Sequence, residues 1–203
     1  MKITTCKSFS KFSEIASLRY DVYCKEQKKE HIKGIDHNSK KISDQFDFTN
    51  PIILYAEDNN ELVGTLRYRS FPLTNFYKEK YQLRDSSHQI KYSEVDLFIV
   101  RQDYRKSRTA LLLASEIYYL GLSTSTNICL IEVESFLEKF YHRLGFKSSR
   151  VICYDYGTRV QMYLNLWDYK HLIEVKSPFV KHLDNFNNDI NHSCINDEHI
   201  LSH

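Results

Sequence analysis

Near the start of the chain the spacing of apolar residues changes from every second position to every third or fourth. A short alternating strand gives way at Ser10 to Phe12, Ile15, Ala16, Leu18, Val22 and Tyr23, which predicts a helix to about Gln27. Residues 28–49 have no clear period, carry Lys28, Lys29, Lys33, Lys40 and Lys41, and read as a long surface loop of a kind usually kept for a use. Pro51 to Ala56 reads as a strand, Asp58-Asn59-Asn60 as a turn and Leu62 to Arg69 as the hairpin partner, with Arg67 and Arg69 on one face. After a mixed segment from Phe71 to Tyr92, the run Glu94 to Val100 sets Val95, Leu97 and Ile99 against Glu94, Asp96 and Phe98, a half-polar strand.

A basic turn, Arg101 to Ser107, leads into a helix with an apolar stripe of Ala110, Leu111, Ala114, Ile117, Tyr118 and Gly121. Ile128 to Val133 reads as a buried strand, and Ser135 to Leu144 as a helix stopped by Gly145 just past its end. Phe146 to Val151 and Arg159 to Leu166 close the pattern, giving the order α, β-hairpin, β-α-β-α-β-β in an α/β domain over residues 1–175. From residue 176 to 203 the chain is rich in Asn, Asp and His and is expected to be a weakly ordered polar tail.

Composition narrows the class. Tyr 15, Phe 12 and Trp 1 supply a core for 203 residues, while Gly 5 and Pro 3 exclude collagen-like and linker-like chains. A net charge of +2 is too weak a surplus to suggest nucleic acid or a membrane surface as the main partner. Cys6, Cys24, Cys129, Cys153 and Cys194 are odd in number and form no metal or redox spacing, which fits a reducing cytoplasm. No signal-like apolar segment opens the chain, and the greasiest stretch, Leu111 to Leu122, is broken by Glu116, so neither secretion nor a membrane span is expected. Cys24 and Cys129 read as buried apolar residues. His182, His192, His199 and His203 lack a metal-ligand motif, and no metal is expected.

Two segments carry candidate chemistry. From Glu94 to Gly121, a strand, a basic turn and a helix start would present free amides and the charges of Arg105 and Arg108 to an anion such as phosphate, with Ser107 or Thr109 as the cap. In Phe140-Tyr141-His142-Arg143-Leu144-Gly145-Phe146, a helix end, a tight glycine and an aromatic strand meet. Together, Val-x-x-x-Tyr-Arg-x-x-x-x-Ala from Val100 to Ala110 and Phe-Tyr-x-x-Leu-Gly-Phe resemble the acyl-donor and C-terminal motifs of the GNAT acyltransferases, from about Leu62 to Leu166. The resemblance implies a mixed, mostly antiparallel sheet flanked by helices and splayed where the donor enters. It assigns the donor to Val100, Arg105, Lys106, Ser107, Arg108, Thr109 and Ala110. The family's donor loop reads Arg/Gln-x-x-Gly-x-Gly/Ala, and here Arg108 stands at a glycine position.

Further motifs are similar to those of acyl-homoserine-lactone synthases and N-acyl amino acid synthases. They are Leu18 to Gln27, Asp44-Gln45-Phe46-Asp47, Gly64 to Arg69 and Glu94 to Val100, in matching order. That resemblance gathers Arg19, Asp44, Asp47, Arg67, Arg69 and Glu94 around the acceptor amine. It makes Glu94 the candidate base and Tyr141 the candidate acid. The lactone synthases carry arginine where this chain has Leu97, which implies a different acceptor. The donor implied is a co-substrate rather than a bound cofactor, either acyl-CoA or acyl carrier protein, whose single phosphate suits Arg108 better. The basic residues Lys28, Lys29, Arg101, Arg105, Lys106 and Arg108 are then expected to meet an acidic carrier protein. The expected function is transfer of a fatty acyl group to the amine of an amino acid or related small metabolite. The alternatives are an acetyl-CoA-dependent N-acetyltransferase of a small amine or protein N-terminus, and a non-catalytic acyl- or partner-binding module.

Overall fold

A computed structural model describes residues 1–83 and 90–188. Strand β1 (Lys2–Thr5) precedes helix α1 (Phe9–Tyr20), whose first turn is capped by Ser8 Oγ accepting the Lys11 amide at 3.2 Å. Asp21–Glu26 extend α1 as a wider π-type turn. A small hairpin, β2 (Ile35–Asp36) and β3 (Lys41–Ile42), and a tight 3-10 turn, Gln45–Phe48, follow. Strands β4 (Ile52–Asp58) and β5 (Glu61–Phe71) are joined through Asn59 and Asn60 at φ 50° and 66°, the left-handed pair that a two-residue hairpin turn requires. Helix α2 (Asn75–Tyr81) lies before β6 (Tyr92–Val100), and α3 (Thr109–Ser123) connects β6 to β7 (Ile128–Glu134). The chain continues through α4 (Glu138–Leu144), β8 (Lys147–Tyr154), β9 (Gly157–Asn165) and α5 (Tyr169–Glu174), and residues 180–188 are helical.

The seven-stranded sheet runs β1-β4-β5-β6-β7-β9-β8. Its one parallel pairing, β6 with β7, joins only Tyr92 to Ile128, Ser93 to Cys129 and Glu94 to Leu130. Both strands then run on unpaired with each other, to Val100 and Glu134, and so part. The cause lies in β6. Between Arg67↔Asp96 and Thr65↔Ile99 this strand carries one residue more than β5, and Leu97 takes φ 47°, a bulge of the kind that bends a strand.

One sheet face packs Leu66, Tyr68, Val95, Ile131 and Met162 against Leu113, Ala114, Tyr118 and Leu122 of α3. The other carries Arg67, Arg69, Glu94 and Asp96 beneath α1 and residues 28–48. Several expectations change accordingly. The polar residues of the half-polar strand do not all face solvent, since Glu94 is 2% exposed. Residues 28–49 are not a bare loop, because Ile42 and Asp47 are buried within them. The mixed segment after Phe71 contains α2. The packed body also passes residue 175, because Phe179 and Leu183 join the main core and the expected polar tail is helical at 180–188. His192, His199, His203 and Cys194 lie outside the described residues. Among the described residues no helix is long and apolar enough to cross a membrane.

Candidate active site

The charged residues of the front face bind one another. Arg19 Nη1 donates to both oxygens of Asp47, at 3.0 and 2.9 Å, and both side chains are shut off from solvent. Arg67 lies 3.1 Å from Asp47, donates to Asp44 at 2.5 and 3.0 Å, and donates to Asp96 at 2.7 and 2.8 Å. Arg69 donates to Asp96 at 2.9 Å, to Glu94 at 2.5 Å and to Tyr77 at 2.9 Å. Glu94 also accepts from Lys80 at 2.5 Å and from the Tyr81 hydroxyl.

Local sequence fixes this arrangement. Asp44 accepts the Phe46 amide at 2.8 Å and Asp47 accepts the Asp44 amide at 3.0 Å, so the two aspartates close the 3-10 turn on itself while facing the arginines. Phe46, between them, lies over the Arg69 guanidinium at 4.1 Å. Burial alone would raise the Asp44 carboxyl, but the hydrogen bonds and charge of Arg67 outweigh it and hold its pKa below the usual range. Burial, then the charge of Glu94, keeps the Tyr81 phenol well above its ordinary pKa.

Arg19, Asp44, Asp47, Arg67, Arg69 and Glu94 therefore come together, joined by Asp96. All three nitrogens of Arg67 are engaged by carboxylates, whereas Arg19 Nε and Nη2 and Arg69 Nε are buried without a partner among the described residues. Lys80, Tyr77 and Tyr81 arrive on α2, which sequence reading missed. The i,i+4 spacing of Tyr77 and Tyr81 was its available signal.

Where β6 and β7 part, a cleft of about 140 Å³ opens on the front face, bordered by Tyr23, Asp96, Phe98, Glu132 and Tyr141. Glu94 does not border it. Glu132 does, accepting from Tyr154 and Gln161 at 3.1 Å each. Glu132 lies two residues past Leu130, the partner of Glu94 in the parallel pairing, and so shares Leu130's strand face, an alternation legible in the sequence. Lys29 and Arg159 flank the cleft and pair with Glu134 at 2.5 and 3.2 Å.

Behind the parting, between the sheet and α3, lies an apolar cavity of about 30 Å³. Val95, Phe98 and Tyr141 border both spaces. The Tyr141 hydroxyl makes no hydrogen bond among the described residues, and burial, with Tyr23 and Cys129 nearby, holds its pKa well above the ordinary phenol value. It stays protonated at neutral pH. Burial likewise pushes the Cys129 thiol up to about 12, which makes it a poor nucleophile.

The basic turn follows Val100 at the open end of the parting. Arg105 Nε donates to the Val100 carbonyl at 3.0 Å and its guanidinium pairs with Glu26, so its charge is tied to the body. Ser107 Oγ accepts the Thr109 amide at 3.2 Å and exchanges a hydrogen bond with the Thr109 hydroxyl at 2.7 Å, but the N-cap position of α3 is Arg108, which makes no side-chain cap bond, rather than the expected Ser107 or Thr109. Thr109 is buried and Ala110 packs against the main core, while Lys106 and Arg108 are exposed. Of the basic residues expected to meet a carrier protein, Lys29 is paired with Glu134, Arg101 with Glu61 and Asp103, and Arg105 with Glu26. Lys28, Lys106 and Arg108 have no ion pair among the described residues.

Known structures share this architecture. FeeM, an N-acyl amino acid synthase from uncultured soil microbes, superposes with a TM-score of 0.64 at 12% identity, over 89% of this chain and 96% of that chain. The CoA-dependent acyl-homoserine lactone synthase MesI gives 0.67 at 14% identity, over 89% and 92%. Escherichia coli ElaA gives 0.58 at 17% identity, over 81% and 99%. The fold is thus the GNAT-like acyltransferase fold expected from the donor motifs. No curated protein sequence matches the chain. The description of the N-acyl amino acid synthase FeeM family, however, matches residues 14–151, more than half of the chain, and the protein belongs to that family of acyltransferases.

Proposed function

We propose that the protein transfers a fatty acyl group from an acyl thioester, carried by acyl carrier protein or coenzyme A, to the amine of an amino acid or related small metabolite. The observation that carries this reading is the meeting, at Tyr141, of a carboxylate-lined cleft and an apolar cavity on opposite sides of the parting. An amine and an acyl chain have opposite solvation needs, and a thioester held between the strands satisfies both.

In this reading the neutral amine attacks the thioester carbon, a C–N bond forms, the C–S bond breaks and the amine loses a proton. Tyr141 gives its phenolic proton to the leaving thiolate. Glu94 lies behind Arg69 and Asp96, so it takes the amine's proton through water, with Asp96 as the carboxylate that borders the cleft. The network of Arg19, Asp44, Asp47, Arg67 and Arg69 holds these carboxylates in place behind the cleft. The start of α3, with Lys106, Ser107 and Arg108, meets the donor's phosphate, and the exposed Lys28, Lys106 and Arg108 meet a carrier protein.

Release of free thiol, measured with long-chain acyl carrier protein, long-chain acyl-CoA and acetyl-CoA in the presence of mixed amino acids, tests the reading. Turnover with the long-chain donors is expected. Turnover with acetyl-CoA alone would overturn it in favour of an N-acetyltransferase.

A further inference from the structure

The chain beyond the family match contributes Leu164, Leu166 and Phe179 to the border of the apolar cavity. Strands β6 and β7 are parallel, so α3 runs antiparallel to both, starting at the open end of the parting and returning to the paired end. Tyr118 and Gly121, in the second half of α3, border the cavity at that paired end. Tyr118 is fixed by its hydroxyl donating to the Leu166 carbonyl at 2.6 Å, and Phe179 stacks flat on its ring, with centroids 4.3 Å apart and planes 7° apart.

Phe179 is itself held. Ser177 Oγ donates to the Leu144 carbonyl at 2.7 Å and accepts the Phe179 amide at 3.2 Å, and Leu183 anchors the helix that follows. An acyl chain that passes between Phe98 and Tyr141 meets only apolar and aromatic side chains before this stacked pair, apart from Ser93. The free space is only about 30 Å³, so the positions of the lining rings decide how far a chain can reach.

We propose that Phe179, backed by Tyr118, is the end wall of the acyl-chain site and sets the longest chain the enzyme accepts. The proposal rests on the fatty-acyl reading given above. Chain length is then governed by a residue outside residues 14–151, and closely similar catalytic halves can carry different chain preferences.

The test is a competition among saturated acyl donors from butyryl to palmitoyl, run on wild type and on Phe179→Ala, Phe179→Leu and Phe179→Trp. Each methylene accommodated or excluded in an apolar pocket changes kcat/KM by roughly tenfold or more. Phe179→Ala and Phe179→Leu are expected to raise the palmitoyl-to-octanoyl ratio by about tenfold or more, and Phe179→Trp to lower it. Displacement of a bound fluorescent fatty acid by palmitate or octanoate supplies a readout that needs no turnover and is expected to move in the same sense. If the alanine variant does not fold, the leucine and tryptophan variants decide. Unchanged ratios in every folded variant would overturn the proposal. Absence of acyl transfer by the wild type would instead overturn the functional reading, leaving the displacement ratios to judge the wall.

Discussion

Tyr141 and Arg19 differ in what their polar atoms touch, and substitutions at the two should therefore have different effects. The Tyr141 hydroxyl makes no hydrogen bond among the described residues and borders both cleft and cavity. Tyr141→Phe should therefore change unfolding free energy by no more than about 0.5 kcal/mol. It should lower kcat about 100-fold if the phenol is the acid. A variant with full kcat would remove Tyr141 from the mechanism. Arg19 is the opposite case, a fully buried cation on a fully buried Asp47. Arg19→Met removes one of the two arginines on that carboxylate and leaves Arg67 at 3.1 Å, so urea unfolding should register a loss of about 1.5–3 kcal/mol. A loss below about 1 kcal/mol would mean that the network does not hold the front face together. The residue types of this network were legible from the sequence, because the aspartate pair and the hairpin arginines stand in recognisable spacing. Their mutual neutralisation was not, since it depends on which strands are neighbours and on Lys80, Tyr77 and Tyr81 reaching Glu94 and Arg69 from a short helix.

Among elements, β6 departs most from a simple reading of its sequence. Alternation identified a strand over Glu94 to Val100, yet strict alternation fails at Leu97, where a left-handed φ of 47° inserts the extra residue of a bulge. A bulge centred on leucine has no glycine to announce it. The helix end at Gly145 was announced, and it has the required geometry. Its φ is 108°, and a Cβ there would sit 2.6 Å from the Leu172 side chain. Gly145→Ala combines a disfavoured backbone with that clash and should cost more than about 1 kcal/mol in thermal unfolding. An unchanged melting temperature would show that the turn between α4 and β8 relaxes without consequence.

For the whole molecule, the order of elements followed from hydrophobic period and turn chemistry, but the C-terminal limit of the body did not. The Asn- and Asp-rich composition after Lys176 masks a few apolar residues, Phe179, Val180, Leu183 and Phe186, which cover the end of the core. Few residues suffice when each is placed on an otherwise open surface. A chain ended after residue 176 should lose about 3–5 kcal/mol or more, the cost of deleting a buried aromatic ring alone. A chain ended after residue 188 keeps all these contacts and should be more stable than the chain ended after residue 176 by that amount. Equal unfolding of both shortened forms would contradict the packing described for Phe179 and Leu183.

A parting strand pair that joins a carboxylate-lined cleft to an apolar cavity is the central feature of the molecule, and its product is the most direct witness. Mass spectrometry of lipids extracted from cells overproducing the protein, with cells overproducing Tyr141→Phe as the control, measures that product. The expected result is a new N-acylated amino acid with a long acyl chain, strongly reduced in the control. A lipid profile identical in both cultures, or one that gains only N-acetylated amines, would contradict the account.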